Sequence, residues 1–468
     1  MSYRLSIGKL FFVAVYSYFL SLSFRSVWLG GIPWWSDPAR DLLLAWDNLN
    51  KISLIGPPGG IPGVFYGPYW LWLNALVLIF TKDPRFCSLF VVLLPYFTIF
   101  PFLLWKLGKF IGHWAAAVIW LIFMITYGSS YSTFIWQPYL VPIFLVALAY
   151  LAADGILKRP LLTGILATML LNFHLSFGVV SLLSVSALFG ISWLLKDRSF
   201  KKLIYYLTGV LIVFLPFIIF ESRHGYNQIK SFSTAFINAS IYNSASVGQT
   251  GLLKNEILER LLSIPAGYLQ VSKIVVGIIW AVLLTRTKFN GLSVFLFFII
   301  GGLFTVFYTS KNPVWDYYFI GMETLFLLLM GVLMSRSKIL LTVFSVWAFV
   351  LFGRHVGNFL SDPGANFISV PSLASKKAVA NAVIADAKDS SFIVYAYSPS
   401  IYTFEYDYLF KWLSNHKQDT RLAYLIIPET SQAVLEDFIH YKTPDKDYET
   451  VWQKEMPDKT VIIKRWQK

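Results

Sequence analysis

Cysteine is nearly absent from this 468-residue chain, which contains only Cys87. A single cysteine excludes an intramolecular disulfide and a cysteine metal cluster. Charge is scarce too, since Asp, Glu, Lys and Arg make up 14% of the residues, against 56% hydrophobic and 18% aromatic residues. This composition excludes an ordinary soluble domain and is typical of a polytopic integral membrane protein.

Eleven predominantly apolar runs have about the length that a helix needs to cross a bilayer, which is roughly 17 to 25 residues. We expect the first run to be a retained signal anchor, because no small-residue cleavage site follows it. The predicted spans are 7–29, 86–105, 113–130, 138–153, 161–175, 177–195, 203–220, 268–285, 290–308, 317–334 and 339–356.

The basic residues indicate the orientation of these spans, because Lys and Arg in short loops stay on the cytoplasmic side. With a cytoplasmic N-terminus, the cytoplasmic loops are rich in Lys and Arg and contain only two acids, Asp154 and Asp197. Residues up to 359 include 26 basic and 11 acidic side chains. This excess of basic residues lies mainly in the predicted cytoplasmic loops. It therefore reflects topology, and nucleic acid is not an expected partner.

From about residue 360 the composition becomes that of a soluble domain. Apolar runs of strand length, 392–397, 422–427 and 461–463, alternate with predicted helices at 372–387, 402–414 and 430–440. This alternation predicts a small extracytoplasmic α/β domain over 360–468, after a transmembrane domain over 1–359. The predicted fold is thus a polytopic α-helical membrane protein with a small C-terminal α/β domain.

The first outer loop, residues 30–85, contains the most informative polar residues. Pro38 suits a first helical turn and Asp37 the cap before it, so a helix is predicted from 38 to about 50. Its apolar stripe would lie along the membrane surface, whereas Asp37, Arg40 and Asp41 lie off the stripe as neighbours on one face. A purely structural reading is also open, in which Asp37 caps the helix and Arg40 pairs with it.

A Gly- and Pro-rich segment, residues 54–69, follows this helix and is expected to lack regular structure. The apolar segment 67–80 after it is too short to cross the bilayer, so we interpret it as re-entrant or interfacial. Together with the surface helix, these segments would enclose a pocket at the depth of the lipid headgroups.

The motif Asp37-Pro38-Ala39-Arg40-Asp41, followed by the run IGPPGGIPGVFYGPYWLW and a short aromatic helix, resembles the GT-C superfamily of integral membrane glycosyltransferases. Within it, the similarity is greatest to bacterial relatives of protein O-mannosyltransferases and to the lipid A aminoarabinose transferase. The motif similarity covers about residues 30–140, and the rest of the chain agrees in layout only.

This resemblance implies an inverting hexosyl- or pentosyltransferase on the outer face of the plasma (inner) membrane. It would move a sugar from a polyprenyl-phosphate donor to a glycolipid, a cell-envelope glycan or a protein. Asp37 matches the proposed base of the family, and Arg40 matches its following arginine, which would orient Asp37 or bind the phosphate. Asp41 is the second acid. Burial would raise the pKa of Asp37 and Arg40 would lower it, and the sequence leaves that balance open.

Further candidates follow from position. Tyr66 and Tyr69 are predicted to stack on a sugar, and Gln137 to hydrogen-bond it. Gln137 stands where related enzymes often have an acidic residue or asparagine, which argues against a divalent metal, and no other cofactor is expected.

Two acids, Asp316 and Glu323, are seven residues apart, so they are expected on one helical face, with interhelical hydrogen bonding as the alternative. Two cations near the outer surface, Lys311 and Arg354, are candidates for phosphate binding.

Two other functions compete with this prediction. A transporter or flippase for a lipid or lipid-linked sugar would need no catalysis, but the carboxylates gather at one outer surface and no repeat is visible. An oligosaccharide ligase or polymerase lacks the early D-x-A-R-D loop.

Overall fold

The computed structural model describes residues 7–237, 254–286, 290–309, 314–361, 366–388, 390–398, 402–414, 419, 421–430 and 432–468. Within these ranges, nine helices are long and apolar enough to cross a membrane: Leu10–Trp28, Pro84–Ile111, His113–Tyr131, Gln137–Asp154, Leu175–Lys196, Phe200–Arg223, Gly291–Thr309, Asp316–Met334 and Lys338–Ser361. They coincide with nine of the predicted spans, and the chain is a multi-pass membrane protein. The predicted spans 161–175 and 268–285 match two shorter helices, Pro160–Asn172 and Lys273–Arg286.

Four further helices belong to the membrane domain. They are Ser36–Asp47, Tyr69–Leu78, Asn227–Ile237 and Lys254–Leu269. We call the first the surface helix and the second the aromatic helix. With ten residues, the aromatic helix is about 15 Å long, so it is too short to cross a bilayer, as predicted.

The centre of the bundle is the helix Met322–Met334, in which every residue is buried. Apart from Glu323 and Thr324 in its first turn, its residues are apolar on all sides, which is the pattern of a helix surrounded by other helices. By contrast, only 22% of the most apolar stretch is buried within the protein in each of three helices, Leu10–Trp28, Phe200–Arg223 and Lys338–Ser361. The exposed apolar side chains of such helices face the lipid.

The C-terminal α/β domain contains a four-stranded sheet in the order β1-β2-β4-β3. Its strands are β1 (Ile393–Ala396), β2 (Leu422–Ile427), β3 (Tyr448–Glu455) and β4 (Val461–Gln467), and its helices are Leu373–Ala387, Phe404–Leu413 and Gln432–Lys442. The β1 and β2 strands are parallel, and the other two pairs are antiparallel. The sequence predicted three of these strands and missed β3, an edge strand with mostly polar, exposed residues.

The C-terminal domain packs on one end of the helical bundle, which we call the domain face. The helix Phe404–Leu413, which we call the docking helix, lies against the surface helix. Its Tyr408 is fully buried between the rings of Trp34 and Trp46, with centroids 5.5 and 5.7 Å away. The Tyr408 hydroxyl donates to the Lys82 carbonyl at 2.8 Å, and the indole N–H of Trp34 donates to the Glu405 carbonyl at 3.1 Å. These contacts place the C-terminal domain directly over the first loop.

Candidate active site

The surface helix begins earlier than the sequence predicted, and Asp37 does not cap it. The residue before the first turn is Trp35, and Asp37 and Pro38 both lie within that turn. Proline is tolerated there because the first backbone N–H groups of a helix have no intrahelical partner. The Asp37 carboxylate instead lies near the positive end of the helix dipole, where a negative charge is favourable. The side chain is thus available for another role than capping.

The surface helix is enclosed on two sides by other helices, and its position along the membrane surface stays a prediction. The apolar residues Leu42 and Ala45 are buried, as its stripe predicted. Asp41, which was expected to lie off the buried face, is only 1% exposed. The reason is that the aromatic helix covers the side of the helix that the stripe leaves polar, and the docking helix covers another side.

Asp37, Arg40 and Asp41 form one charged cluster, in which the guanidinium lies between the two carboxylates. Arg40 Nη1 donates to Asp37 Oδ1 at 2.8 Å. Its Nε and Nη2 both donate to Asp41 Oδ1, at 3.0 and 2.7 Å. These bonds use three of the five N–H groups of the guanidinium, so two remain for a further anion. The Asp37 side chain is 42% exposed and that of Arg40 is 19% exposed.

Trp70 completes the environment of Asp41 from the aromatic helix. Its indole N–H donates to Asp41 Oδ2 at 3.0 Å, and both side chains are buried. Burial raises the pKa of the Asp41 carboxyl to about 7, and the stabilisation of the ionised form by Arg40 and by the Trp70 N–H offsets only part of that effect. Of the two acids, Asp37 is therefore the accessible one, and Asp41 is the buried support of Arg40.

The Gly/Pro-rich segment contains no helix or strand before Tyr69, as the sequence predicted. Its backbone folds back on itself, because Gly56 N donates to Tyr66 O at 2.7 Å and Gly59 N donates to Val64 O at 2.8 Å. Gly67 packs so closely on Asn172 that an added Cβ would lie 1.5 Å from the amide oxygen. A side chain at position 67 would force either the Asn172 side chain or the segment to move, which favours glycine there.

This turn brings Tyr66 near the charged cluster, and its predicted stacking on a sugar stays a prediction. Burial raises the pKa of the Tyr66 hydroxyl, the nearby Tyr318 and Asp41 raise it further, and Arg40 lowers it. The Tyr66 hydroxyl therefore lies close enough to interact electrostatically with both Arg40 and Asp41.

Tyr69 has a structural partner instead of facing the cluster. Its hydroxyl lies 3.3 Å from the carbonyl oxygens of Ile212 and Val213. The Ile212 carbonyl has no helical N–H partner, because Pro216 occupies the position four residues later. Tyr69 therefore supplies a donor to a carbonyl that the proline leaves unpaired.

The second loop reaches the first through aromatic rings. The ring centroid of Trp136 lies 5.6 Å from that of Trp35 and 5.5 Å from that of Tyr317. Its neighbour Gln137 is 2% exposed, and the Gln137 Oε1 atom has no hydrogen-bond partner among the described residues. A buried acceptor without a donor is costly, so this amide is a good candidate to receive a hydroxyl from a ligand.

The fold of this chain matches that of solved structures. ArnT from Cupriavidus metallidurans, in its crystal structure bound to undecaprenyl phosphate, aligns with a TM-score of 0.64 and 11% sequence identity, covering 97% of each chain. The apo structure of the same protein aligns with a TM-score of 0.63 and 11% identity, covering 98% of each chain. This chain has the ArnT fold. The fold that the GT-C resemblance implied is thereby confirmed. No protein-family model matches the sequence, and no curated protein matches it.

The expected pair of acids is separated within this ArnT fold. Gly321, at a φ of +109°, interrupts the predicted span, so Asp316 lies in the short turn Asp316–Phe319 and Glu323 in the next helix. The Glu323 carboxylate is buried and accepts the Gly321 N–H at 2.8 Å, which caps its own helix. Asp316 is exposed and pairs with Arg260. The two acids do not share a helical face, because the backbone changes direction between them.

The two predicted phosphate-binding cations have different outcomes. Lys311 lies outside the described residues. Arg354 is on the helix Lys338–Ser361, where its Nη1 donates to Gln270 Oε1 at 3.2 Å. Among the described residues, Arg40 is the cation placed at the charged cluster, and no three His, Cys, Asp or Glu side chains gather as metal ligands. The expectation about a metal stays a prediction.

Trp70 and Trp136 are the site residues that the sequence did not indicate. The contact between Trp70 and Asp41 joins residues on two helices that are separated by a turn, so no helical spacing could reveal it.

Proposed function

We propose that this protein is a glycosyltransferase that moves a sugar from a polyprenyl-phosphate donor to an acceptor at the domain face. The observation that supports this most is the cluster of Asp37, Arg40 and Asp41 beneath the C-terminal domain, in a chain with the ArnT fold. The matching structure of ArnT holds undecaprenyl phosphate, a lipid of the donor's class. A guanidinium with free N–H groups is suited to such a phosphate.

In the proposed reaction, Asp37 accepts the proton of the acceptor hydroxyl. The acceptor oxygen then forms a bond to the anomeric carbon, and the bond between that carbon and the phosphate oxygen breaks, with inversion. Polyprenyl phosphate leaves with the electron pair, and Arg40 stabilises the charge that develops on it. Since the phosphate is a good leaving group, a base and a cation are the chief requirements.

Asp41 and Trp70 hold Arg40 in position in this scheme. Asp41 holds the Arg40 guanidinium through Nε and Nη2 on one side. The other side of the guanidinium, where Nη1 donates to Asp37, is therefore the side presented to a ligand. We propose that Tyr66 and Gln137 contact the sugar. Asp316, Glu323 and Arg354 have structural partners, which favour structural roles for them.

The finer assignments are proposals as well. The acceptor is a glycolipid, a cell-envelope glycan or a protein, and the sugar is a hexose or a pentose. The domain face is the outer side of the plasma membrane, because the opposite ends of the helices carry the basic loops. Those loops include Lys106, Lys158, Lys201 and Lys338, all at helix ends away from the C-terminal domain.

The test is transfer by the purified full chain in detergent. A panel of radiolabelled polyprenyl-phosphate monosaccharides is incubated with cell-envelope acceptors, and the released polyprenyl phosphate and labelled product are separated. We expect one donor class to be consumed with stoichiometric release of polyprenyl phosphate. Transbilayer movement of the intact donor in proteoliposomes, without consumption of any donor in the panel, would instead support a flippase.

A further inference from the structure

A groove opens between three helices on the side of the bundle away from the C-terminal domain, which we call the opposite face. The helices are Pro84–Ile111, Gln137–Asp154 and Pro160–Asn172, and the cavity between them has a volume of about 340 Å³. Leu103, Leu151 and Leu166 are among the apolar residues that line it. Lys106 and Arg159 line the same cavity. The proposed transferase reaction uses none of these residues.

Lys106 lies near the end of its membrane-spanning helix. Its ammonium group lies 5.2 Å from the ring centroid of Phe102 and 5.0 Å from that of Trp105. Both rings are about half exposed on the lipid-facing surface. In the described part of the chain, no carboxylate lies within ion-pair distance of Lys106. The cation is therefore held at the edge of the apolar region by its stem and by aromatic rings alone.

Arg159 supplies the second cation from the short connection before Pro160. Its guanidinium lies 5.5 Å from the ring centroid of Tyr150, another residue of the groove. Its Nη2 is 3.9 Å from Asp154 Oδ2, but Lys158 binds the same carboxylate at 3.0 Å. Asp154 is therefore shared by two cations, Lys158 and Arg159, while Lys106 has no acidic partner among the described residues, so the groove carries a net positive charge beside an apolar wall.

We propose that this groove binds an anionic glycerophospholipid from the leaflet at the opposite face. The phosphate would lie between Lys106 and Arg159, and an acyl chain would lie along the leucine side chains. Basic pockets between membrane helices recognise anionic headgroups in this way, and arginine matches a phosphate with two parallel N–H groups. A zwitterionic lipid would bring its own cation toward the same two residues, so the charge favours an anionic lipid. This proposal does not depend on the transferase function.

Binding is measured with radiolabelled phosphatidylglycerol and the purified full chain in detergent micelles that contain phosphatidylcholine. We expect saturable binding that excess phosphatidylcholine does not displace. The variant K106Q/R159Q should bind at least tenfold more weakly, because each cation near a membrane surface contributes about fivefold. The charge-conserving variant K106R/R159K should retain most of the affinity. Thermal unfolding in lipid-free detergent checks that both variants are folded.

The matched control is K201Q/K338Q, which removes two exposed positive charges from the same face outside the groove. We expect it to bind phosphatidylglycerol like the wild type. Equal loss of binding in both double variants would show diffuse attraction and overturn the proposal, as would equal affinity for phosphatidylcholine. Displacement of the bound lipid by stoichiometric undecaprenyl phosphate would also overturn it, because the groove would then take the carrier lipid.

Discussion

Asp41 is a carboxylate that is buried beside a cation. Its oxygens accept hydrogen bonds from Arg40 and from Trp70, yet burial keeps its pKa at about 7. In the unfolded chain the same carboxyl ionises near 3.9. Between about pH 4 and pH 7 the folded protein therefore holds a proton that the unfolded chain has lost, and stability falls as the pH rises through this range.

We predict that Asp41→Asn removes this dependence. As the pH rises from 5 to 8, the melting temperature of the wild type should fall relative to that of the variant, because the amide does not ionise. Thermal unfolding in detergent at a series of pH values measures it. Asp47→Asn, at the exposed end of the same helix, is the control and should keep the wild-type slope. Parallel curves for wild type and Asp41→Asn would contradict the assignment.

At the scale of elements, interruptions of regular structure determine which side chains meet. The proline in the helix Phe200–Arg223 leaves a carbonyl unpaired, and Tyr69 in the aromatic helix supplies its donor. The two helices are thereby joined by a polar contact in an otherwise apolar region. We therefore expect this contact to contribute to stability, and the predicted stacking of Tyr69 on a sugar stays a prediction.

Tyr69→Phe is therefore expected to lower the free energy of unfolding by about 1 kcal/mol, the usual cost of losing such a bond. Its kcat and KM for sugar transfer should stay close to those of the wild type. Chemical unfolding and steady-state kinetics in the same detergent measure both quantities. Tyr205→Phe, an exposed tyrosine on the proline-containing helix, should change neither. A raised KM with an unchanged free energy of unfolding would contradict this prediction and would indicate that Tyr69 contacts the sugar.

Local patterns in the sequence predicted the elements that local patterns determine. Apolar runs predicted the spans, and Pro38 with the stripe around Leu42 predicted the surface helix to within a few residues. The sequence missed β3, since its exposed strand has no apolar run, and it missed the break at Gly321, because a glycine can also sit within a helix. The Trp70–Asp41 contact depends on how two helices pack, which no spacing along the chain encodes.

At the scale of the whole molecule, the C-terminal domain and the charged cluster are on one face, and the basic loops are on the other. The docking helix covers the surface helix, so the cluster lies between the bundle and the domain. If the basic ends are cytoplasmic, cluster and domain are both exposed to the outside. The acceptor would then approach from the side where the domain is.

Cysteine labelling in intact cells tests this orientation, because the single native Cys87 is buried. Tyr441→Cys, at an exposed position of the C-terminal domain, should react with a membrane-impermeant maleimide. Lys338→Cys, at the opposite face, should react only after the cells are permeabilised. The reverse pattern would place the domain in the cytoplasm and would contradict the outer-face assignment.

The central claim is that Asp37 is the base of a sugar transfer from a polyprenyl-phosphate donor. Turnover of that donor by Asp37→Asn is compared with turnover by the wild type and by Asp47→Asn, which removes a charge from the same helix. We expect Asp37→Asn to remain folded, to keep its affinity for undecaprenyl phosphate and to lose turnover by about 10²- to 10⁴-fold, while Asp47→Asn stays active. Wild-type turnover by a folded Asp37→Asn variant would contradict the account.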